Sequence, residues 1–115
     1  MKTSSLLTYK GPGRIVISRS VMRGLPAGYR VFKALAPGPW FNSVSKEEYI
    51  DLFNKEILMP LDPVETWERL HDLAGGVEPV LLCYEKPPLT EENWCHRTLV
   101  ADWFQKELGH TVDEL

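Results

Sequence analysis

Cysteine is nearly absent from this chain: Cys83 and Cys95 are the only two among 115 residues. So few exclude a secreted scaffold stapled by several disulfides. Long apolar runs are missing as well. No stretch approaches the roughly 20 residues of a membrane span. The start, Met1-Lys2-Thr3-Ser4-Ser5-Leu6-Leu7, has too short an apolar run for a signal peptide. The expected compartment is therefore cytoplasmic, where thiols stay reduced, with a Cys83–Cys95 disulfide as the minor alternative. A basic surplus is also lacking, since 13 Lys and Arg stand against 16 Asp and Glu. That balance argues against a broad nucleic-acid face. The charge is polarised all the same: Arg14, Arg19, Arg23 and Arg30 crowd the first third, and acidic residues dominate from Glu47 onward. There is no internal repeat, no low-complexity segment, no P-loop, no G-x-G-x-x-G and no Cys-x5-Arg phosphatase loop.

What is present is enough for one domain spanning 1–115. Apolar residues make up 43% of the chain, and a domain of this length buries about two-thirds of its unfolded surface. It needs no metal or disulfide to hold together. Arg14-Ile15-Val16-Ile17-Ser18, after the turn Gly11-Pro12-Gly13, reads as a buried strand. Leu6 to Tyr9 and Tyr29 to Leu35 read as further strands, the second preceded by a loop around Gly24-Leu25-Pro26-Ala27-Gly28. Ser45-Lys46-Glu47-Glu48 has the capping-box form, and Tyr49, Ile50, Phe53 and Ile57 recur on one helical face up to Pro60. Asp62-Pro63-Val64-Glu65 opens a second helix with an Asp cap and proline in the first turn. Its stripe is Val64, Trp67, Leu70 and Leu73, ended by Gly75-Gly76. Val80-Leu81-Leu82-Cys83-Tyr84 is the strongest strand. A loop through Lys86-Pro87-Pro88-Leu89 and Thr90 to Asn93 leads to a third helix starting near Asn93 or Trp94. Leu99, Val100, Trp103, Phe104 and Leu108 form its apolar face, and Thr111 to Leu115 supplies an edge strand. Strands alternating with helices predict an α/β fold: a small Rossmann-like three-layer domain with a mostly parallel sheet flanked by helices.

On that fold Cys83 and Glu85 fall at the carboxyl end of the strongest strand, and Cys95, His96 and Arg97 in the first turn of the next helix. Ligands of open α/β sheets bind at strand carboxyl ends, where helix N-termini offer free N–H groups and a positive partial charge. Arg97 adds a bidentate donor for an anion. The same field would lower the pKa of Cys95 and raise its thiolate fraction, with Glu85 as a base or as an orienting partner for arginine. The plainer readings stand beside these. Cys83, inside an apolar strand, reads first as a small buried hydrophobe, and Cys95 reads equally as core or as a reactive thiol. His96 and Arg97 read as solvated first-turn residues, and Trp103 and Phe104 as core. Zinc on Cys83, Cys95, His96 and Glu85 lacks any paired C-x-x-C or H-x-x-x-H spacing. Neighbours Cys95 and His96 would also project about 100° apart on a helix. No metal and no cofactor is expected, and His71 and His110 receive no role.

The run Leu81-Leu82-Cys83-Tyr84-Glu85-Lys86, followed by Cys95-His96-Arg97 and Val100-Ala101-Asp102-Trp103, resembles the short, single-domain branch of the family called domain of unknown function 488. The likeness extends through Ile17-Ser18-Arg19, Leu35-Ala36-Pro37, Glu48-Tyr49 and Leu61-Asp62-Pro63. It implies a Rossmann-like fold and a site made of Ser18, Arg19, Cys83, Glu85, Cys95, His96 and Arg97, but supplies no established activity. The Glu85–Cys95 loop, with Pro87-Pro88 and Trp94, is longer than the family's usual one. If the first and strongest strands are neighbours, Arg19, Glu85 and Arg97 surround one cleft.

Three expectations follow. The first is an anionic, nucleotide-like small molecule bound by Ser18, Arg19, Cys83 and Arg97, with Cys95, Glu85 and His96 as catalytic residues of a hydrolase or transferase. The second is a non-enzymatic, regulatory or viral domain with a protein partner. In it, Cys-His-Arg locks the fold through an Arg97–Glu85 pair and exposed Trp40-Phe41 makes contact. The third, nucleic acid held by the early arginines, is the weakest.

Overall fold

The computed structural model describes residues 1–20, 27–85, 89 and 94–115. Of the expected loop, Ala27 and Gly28 form a turn, while Gly24 to Pro26, together with Arg23, the segment Lys86-Pro87-Pro88 and the helix approach Thr90 to Asn93, lie outside the described residues. The described chain forms one sheet of five strands: β1 (Lys2–Ser5), β2 (Arg14–Val16), β3 (Arg30–Val31), β4 (Val80–Cys83) and β5 (Asp113–Glu114). Their order across the sheet is β3-β2-β4-β1-β5, and every pairing is parallel. The helices are α1 (Lys46–Leu52), continued by a π-helical turn over Phe53–Leu58, α2 (Pro63–Ala74) and α3 (His96–Leu108). No helix among the described residues is long and apolar enough to cross a membrane.

The α/β fold with a parallel sheet and flanking helices is therefore as expected, and its cause is visible residue by residue. Val80-Leu81-Leu82-Cys83 is buried at all positions and lies centrally, as a strand apolar on both faces must. Side chains alternate along the strands, so Ile15, Ile17 and Leu81 join Phe53, Leu70, Val100 and Phe104 in one core. Val16, Val80 and Leu82 face the other way with Leu6. Among the described residues that second face is covered by Tyr9, Tyr29 and Tyr84 rather than by a helix. Ser45 caps α1 by accepting the Glu48 N–H at 3.2 Å, and Asp62 caps α2 through the Glu65 N–H at 3.1 Å.

Four local expectations are corrected. The first strand is Lys2–Ser5, and Leu6 to Tyr9 turn away from the sheet. Two of its buried hydroxyls are bonded: Thr3 Oγ1 donates to Glu114 at 2.7 Å and Ser5 Oγ to the Tyr84 carbonyl at 3.2 Å. Only Arg30–Val31 of the Tyr29–Leu35 run is strand, because the chain tightens into a 3₁₀ turn over Lys33–Leu35. Val64 is exposed, and the buried positions of α2 are Thr66 and Leu70, flanked by Trp67 and Leu73. The third helix begins at His96, after Trp94 and Cys95.

One turn glycine is required sterically. Gly13 has φ +78°, and a Cβ there would collide with the Glu78 carbonyl, while its own carbonyl accepts the Val80 N–H at 2.8 Å. Gly13→Ala is expected to lower stability by more than about 1 kcal/mol, as read by urea denaturation. An unchanged midpoint would contradict this reading of the turn.

Candidate functional site

β2 and β4 are neighbours, with Val16 opposite Leu82, so their carboxyl ends open side by side. The chain leaves β2 as Ile17-Ser18-Arg19-Ser20 and β4 as Tyr84-Glu85. Between them and the start of α3 lies a cavity of about 340 Å³. Ser18, Arg19, Cys83, Glu85, Cys95 and His96 all line it, which brings six of the seven expected site residues together.

The seventh is elsewhere. Arg97 is fully buried and absent from the cavity lining. Its Nε and Nη2 donate to the two carboxylate oxygens of Glu114 at 3.0 and 2.8 Å, and its Nη1 donates to Cys83 Sγ at 3.3 Å. The expected Arg97–Glu85 pair is therefore replaced by Arg97–Glu114, and no arginine–glutamate–arginine ring encloses the cleft. The physical reason is helical geometry: one residue beyond His96, Arg97 turns toward the sheet edge where β5 docks.

The second correction concerns the thiols. Cys83 and Cys95 are joined in a disulfide, so in this form neither is a free nucleophile. Cys95 is also the N-cap of α3, with extended backbone (φ −144°, ψ 150°) and no side-chain capping bond. The 100° spacing expected between Cys95 and His96 applies only inside a helix. With Cys95 outside it, the Cys95 sulfur comes within 3.6 Å of His96 Nδ1.

His96 is buried and tied at its other nitrogen, Nε2 standing 2.7 Å from the Ile17 carbonyl. A carbonyl only accepts, so Nε2 carries the hydrogen and the neutral ring leaves its Nδ1 lone pair toward sulfur. Burial drives the pKa of His96 down to about 4, and the nearby Arg97 charge adds to this against the opposing pull of the Ile17 carbonyl. The imidazole is thus neutral at physiological pH.

The remaining walls were not read as site residues. Tyr49, expected only on the apolar face of α1, lines the cavity with Trp94, Phe41, Pro37 and Tyr84. Its ring meets Trp94 edge-on at 4.7 Å and Trp40 at 5.1 Å. Burial and then the Glu85 carboxylate hold its phenol well above the ordinary value, so Tyr49 stays protonated. The one sequence signal was a hydroxyl-bearing aromatic on an otherwise apolar stripe. Trp40 is half-buried, its indole N–H 3.3 Å from Glu56, and of the expected contact pair only Phe41 is exposed. Arg19 is exposed at the rim, its guanidinium 5.8 Å from the Phe41 ring and 3.3 Å from the Pro37 carbonyl. Ser18 Oγ is occupied by the Ser20 carbonyl at 2.8 Å. Arg14, from the early basic group, lies over the Tyr29 ring at 4.4 Å on the opposite face.

No family model matches the chain, and neither a curated protein nor a solved structure matches it.

Proposed function

We propose that this chain binds a small anionic molecule carrying a flat ring, of the nucleotide-like class, in the cleft at the carboxyl ends of β2 and β4. One observation carries the reading: a 340 Å³ cavity sets a cation, Arg19, and the start of a 13-residue helix against aromatic walls of Phe41, Tyr49 and Trp94. That volume lies in the range of small-molecule pockets, whose character is mostly apolar with a few placed polar groups. The anion falls to Arg19 and the first N–H groups of α3. Glu85 and the protonated Tyr49 hydroxyl are left to accept from and donate to the ring or sugar. The Arg97 side chain, committed to Glu114 and Cys83, has no part in binding on this reading.

Hydrolase or transferase chemistry belongs to the reduced form alone. Once the disulfide opens, the Cys95 thiol is free to act as a nucleophile, with His96 Nδ1 3.6 Å from its sulfur as a hydrogen-bond acceptor that orients it rather than as the base that takes its proton. The competing reading, an interaction domain in which Cys-His-Arg is structural, is favoured by the complete burial of Arg97 against Glu114.

A thermal-shift panel of nucleotides, nucleosides, inorganic phosphate and carboxylates separates them. A ligand present at 100 times its Kd is expected to add about 2.7 kcal/mol to the native state. Arg19→Ala is expected to abolish that shift while leaving the unliganded melting point unchanged, because Arg19 is exposed. No shift across the panel, or a shift that Arg19→Ala keeps, refutes the assignment.

A further inference from the structure

The disulfide and the imidazole beside it form a second kind of site. The ligand atoms of Cys83, Cys95 and His96 lie within 4.8 Å of one another, and all three residues are buried. Around a tetrahedral zinc ion, thiolates at about 2.3 Å and an imidazole nitrogen at about 2.0–2.1 Å stand about 3.6 Å apart, and two thiolates about 3.8 Å apart. Cys95 Sγ and His96 Nδ1 already have the first of these spacings, at 3.6 Å. The sulfur–sulfur separation is the one that must lengthen, and opening the disulfide frees it.

The surroundings also suit a metal once the disulfide is open. A zinc-bound histidine generally gives its other N–H to a carbonyl or carboxylate, which fixes the ring. His96 does this toward Ile17 at 2.7 Å, leaving Nδ1 as the ligand atom. Arg97 Nη1 donates to Cys83 Sγ at 3.3 Å, a second-sphere bond to what would be a thiolate. The charges balance as well. Two thiolates neutralise a divalent ion, and Arg97 is neutralised by Glu114, so the buried ensemble has no net charge.

We propose that the reduced Cys83–Cys95 pair and His96 Nδ1 bind one zinc ion, with its fourth position open to the cleft that all three residues line. Reduction and uptake are separate steps. A dithiol reductant breaks the sulfur–sulfur bond, giving two cysteine thiols and the reductant's own disulfide, with two electrons passing to the protein. Zinc then forms two bonds to sulfur and one to nitrogen, and two protons leave to solvent. The metal undergoes no change of oxidation state. The proposal stands apart from the anionic-ligand reading, since it is tested with metal alone, and it replaces the free Cys95 thiol of the hydrolase or transferase reading with a metal-bound thiolate.

The test compares two oxidation states of the same chain. Protein reduced with a phosphine, desalted under nitrogen and dialysed against zinc is expected to retain one zinc per chain, and the disulfide form none above background. Cobalt in place of zinc is expected to give thiolate-to-metal absorption and the visible bands of a tetrahedral ion. Zinc is expected to raise the melting point of the reduced form only. X-ray absorption of the zinc protein reports two sulfur ligands and an imidazole without any substitution, which keeps His96 testable if a variant fails to fold. Cys83→Ser and Cys95→Ser are each expected to weaken retention by about 100-fold or more, beyond what losing a second-sphere partner costs. Equal retention by both oxidation states, no retention by the reduced form, or an absorption spectrum lacking sulfur or imidazole overturns the proposal.

Discussion

Glu114→Ala is expected to cost about 3 kcal/mol of stability, although it alters a residue of a two-residue edge strand. Arg97 has no solvent exposure, and Glu114, itself 30% exposed, supplies both oxygens of a forked ion pair to it. Removing the carboxylate leaves a guanidinium charge buried with Cys83 sulfur as its remaining partner in this network. Uncovering such a charge costs about 3–5 kcal/mol, and the lower end applies because water can follow the vacated side chain. Glu114 also accepts from Thr3, so β5 loosens from β1 in the same change. For a domain whose net stability is of the order of 5–15 kcal/mol, this is a large fraction. Urea denaturation of the disulfide form measures it. Glu114→Gln, which keeps the shape and one oxygen, is expected to lose less, and Arg97→Met combined with Glu114→Ala to recover part of the loss. A change under about 0.5 kcal/mol would mean that Arg97 is solvated after all.

Acid is expected to destabilise the chain through His96 by a similar amount. The folded pKa of about 4 lies below the ordinary 6.5, so between these values the unfolded chain binds a proton that the native state refuses. Stability is therefore complete above about pH 6.5, falls as the pH drops toward 4, and has lost this contribution below it. The span corresponds to about 3 kcal/mol. The groups around the ring are the Ile17 carbonyl, the Cys95 sulfur, the Phe53 ring at 5.6 Å and the Arg97 charge. None offers a carboxylate to an imidazolium. Denaturation midpoints from pH 4 to 8, compared with those of His96→Asn, isolate the histidine from the carboxylates. The wild type is expected to lose more on acidification, and parallel curves would place a charged, solvated imidazole at this position.

The sequence made β4 and the starts of α1 and α2 legible because their signals are local. An unbroken apolar run, a Ser cap with glutamate three residues on, and Asp-Pro at a helix start each act within one turn. β1 was illegible for the opposite reason. Lys2-Thr3-Ser4-Ser5 has the composition of an exposed segment, yet Thr3 and Ser5 are buried with their hydroxyls satisfied by Glu114 and the Tyr84 carbonyl, far along the chain. The same distance hid the partner of Arg97. Glu85 was nearer in the chain, whereas Glu114 arrives through the docking of β5.

Within the site, strand-end topology was enough to gather Cys83, Glu85, Cys95 and His96 around one cleft, while Ser18 and Arg19 were pointed to by the resemblance and join them because β2 and β4 are neighbours. It could not place Cys95 just outside the helix, and that single step decides whether sulfur and imidazole diverge or meet. The aromatic walls were masked by their own pattern, since Tyr49 recurs with Phe53 at the spacing of a core stripe. The second face of the sheet was obscured in a similar way: tyrosines scattered through loops cover it, and no periodicity marks them.

The cleft itself is tested most directly by titrating nitrogen-15-labelled protein with a nucleoside monophosphate and following each backbone amide. The expected result is saturable shifts at Ser18, Arg19, Glu85, Cys95 and His96, with Arg14 and Tyr29 on the opposite face unmoved. Shifts confined to that opposite face, or none at any concentration, would contradict a ligand site at the carboxyl ends of β2 and β4.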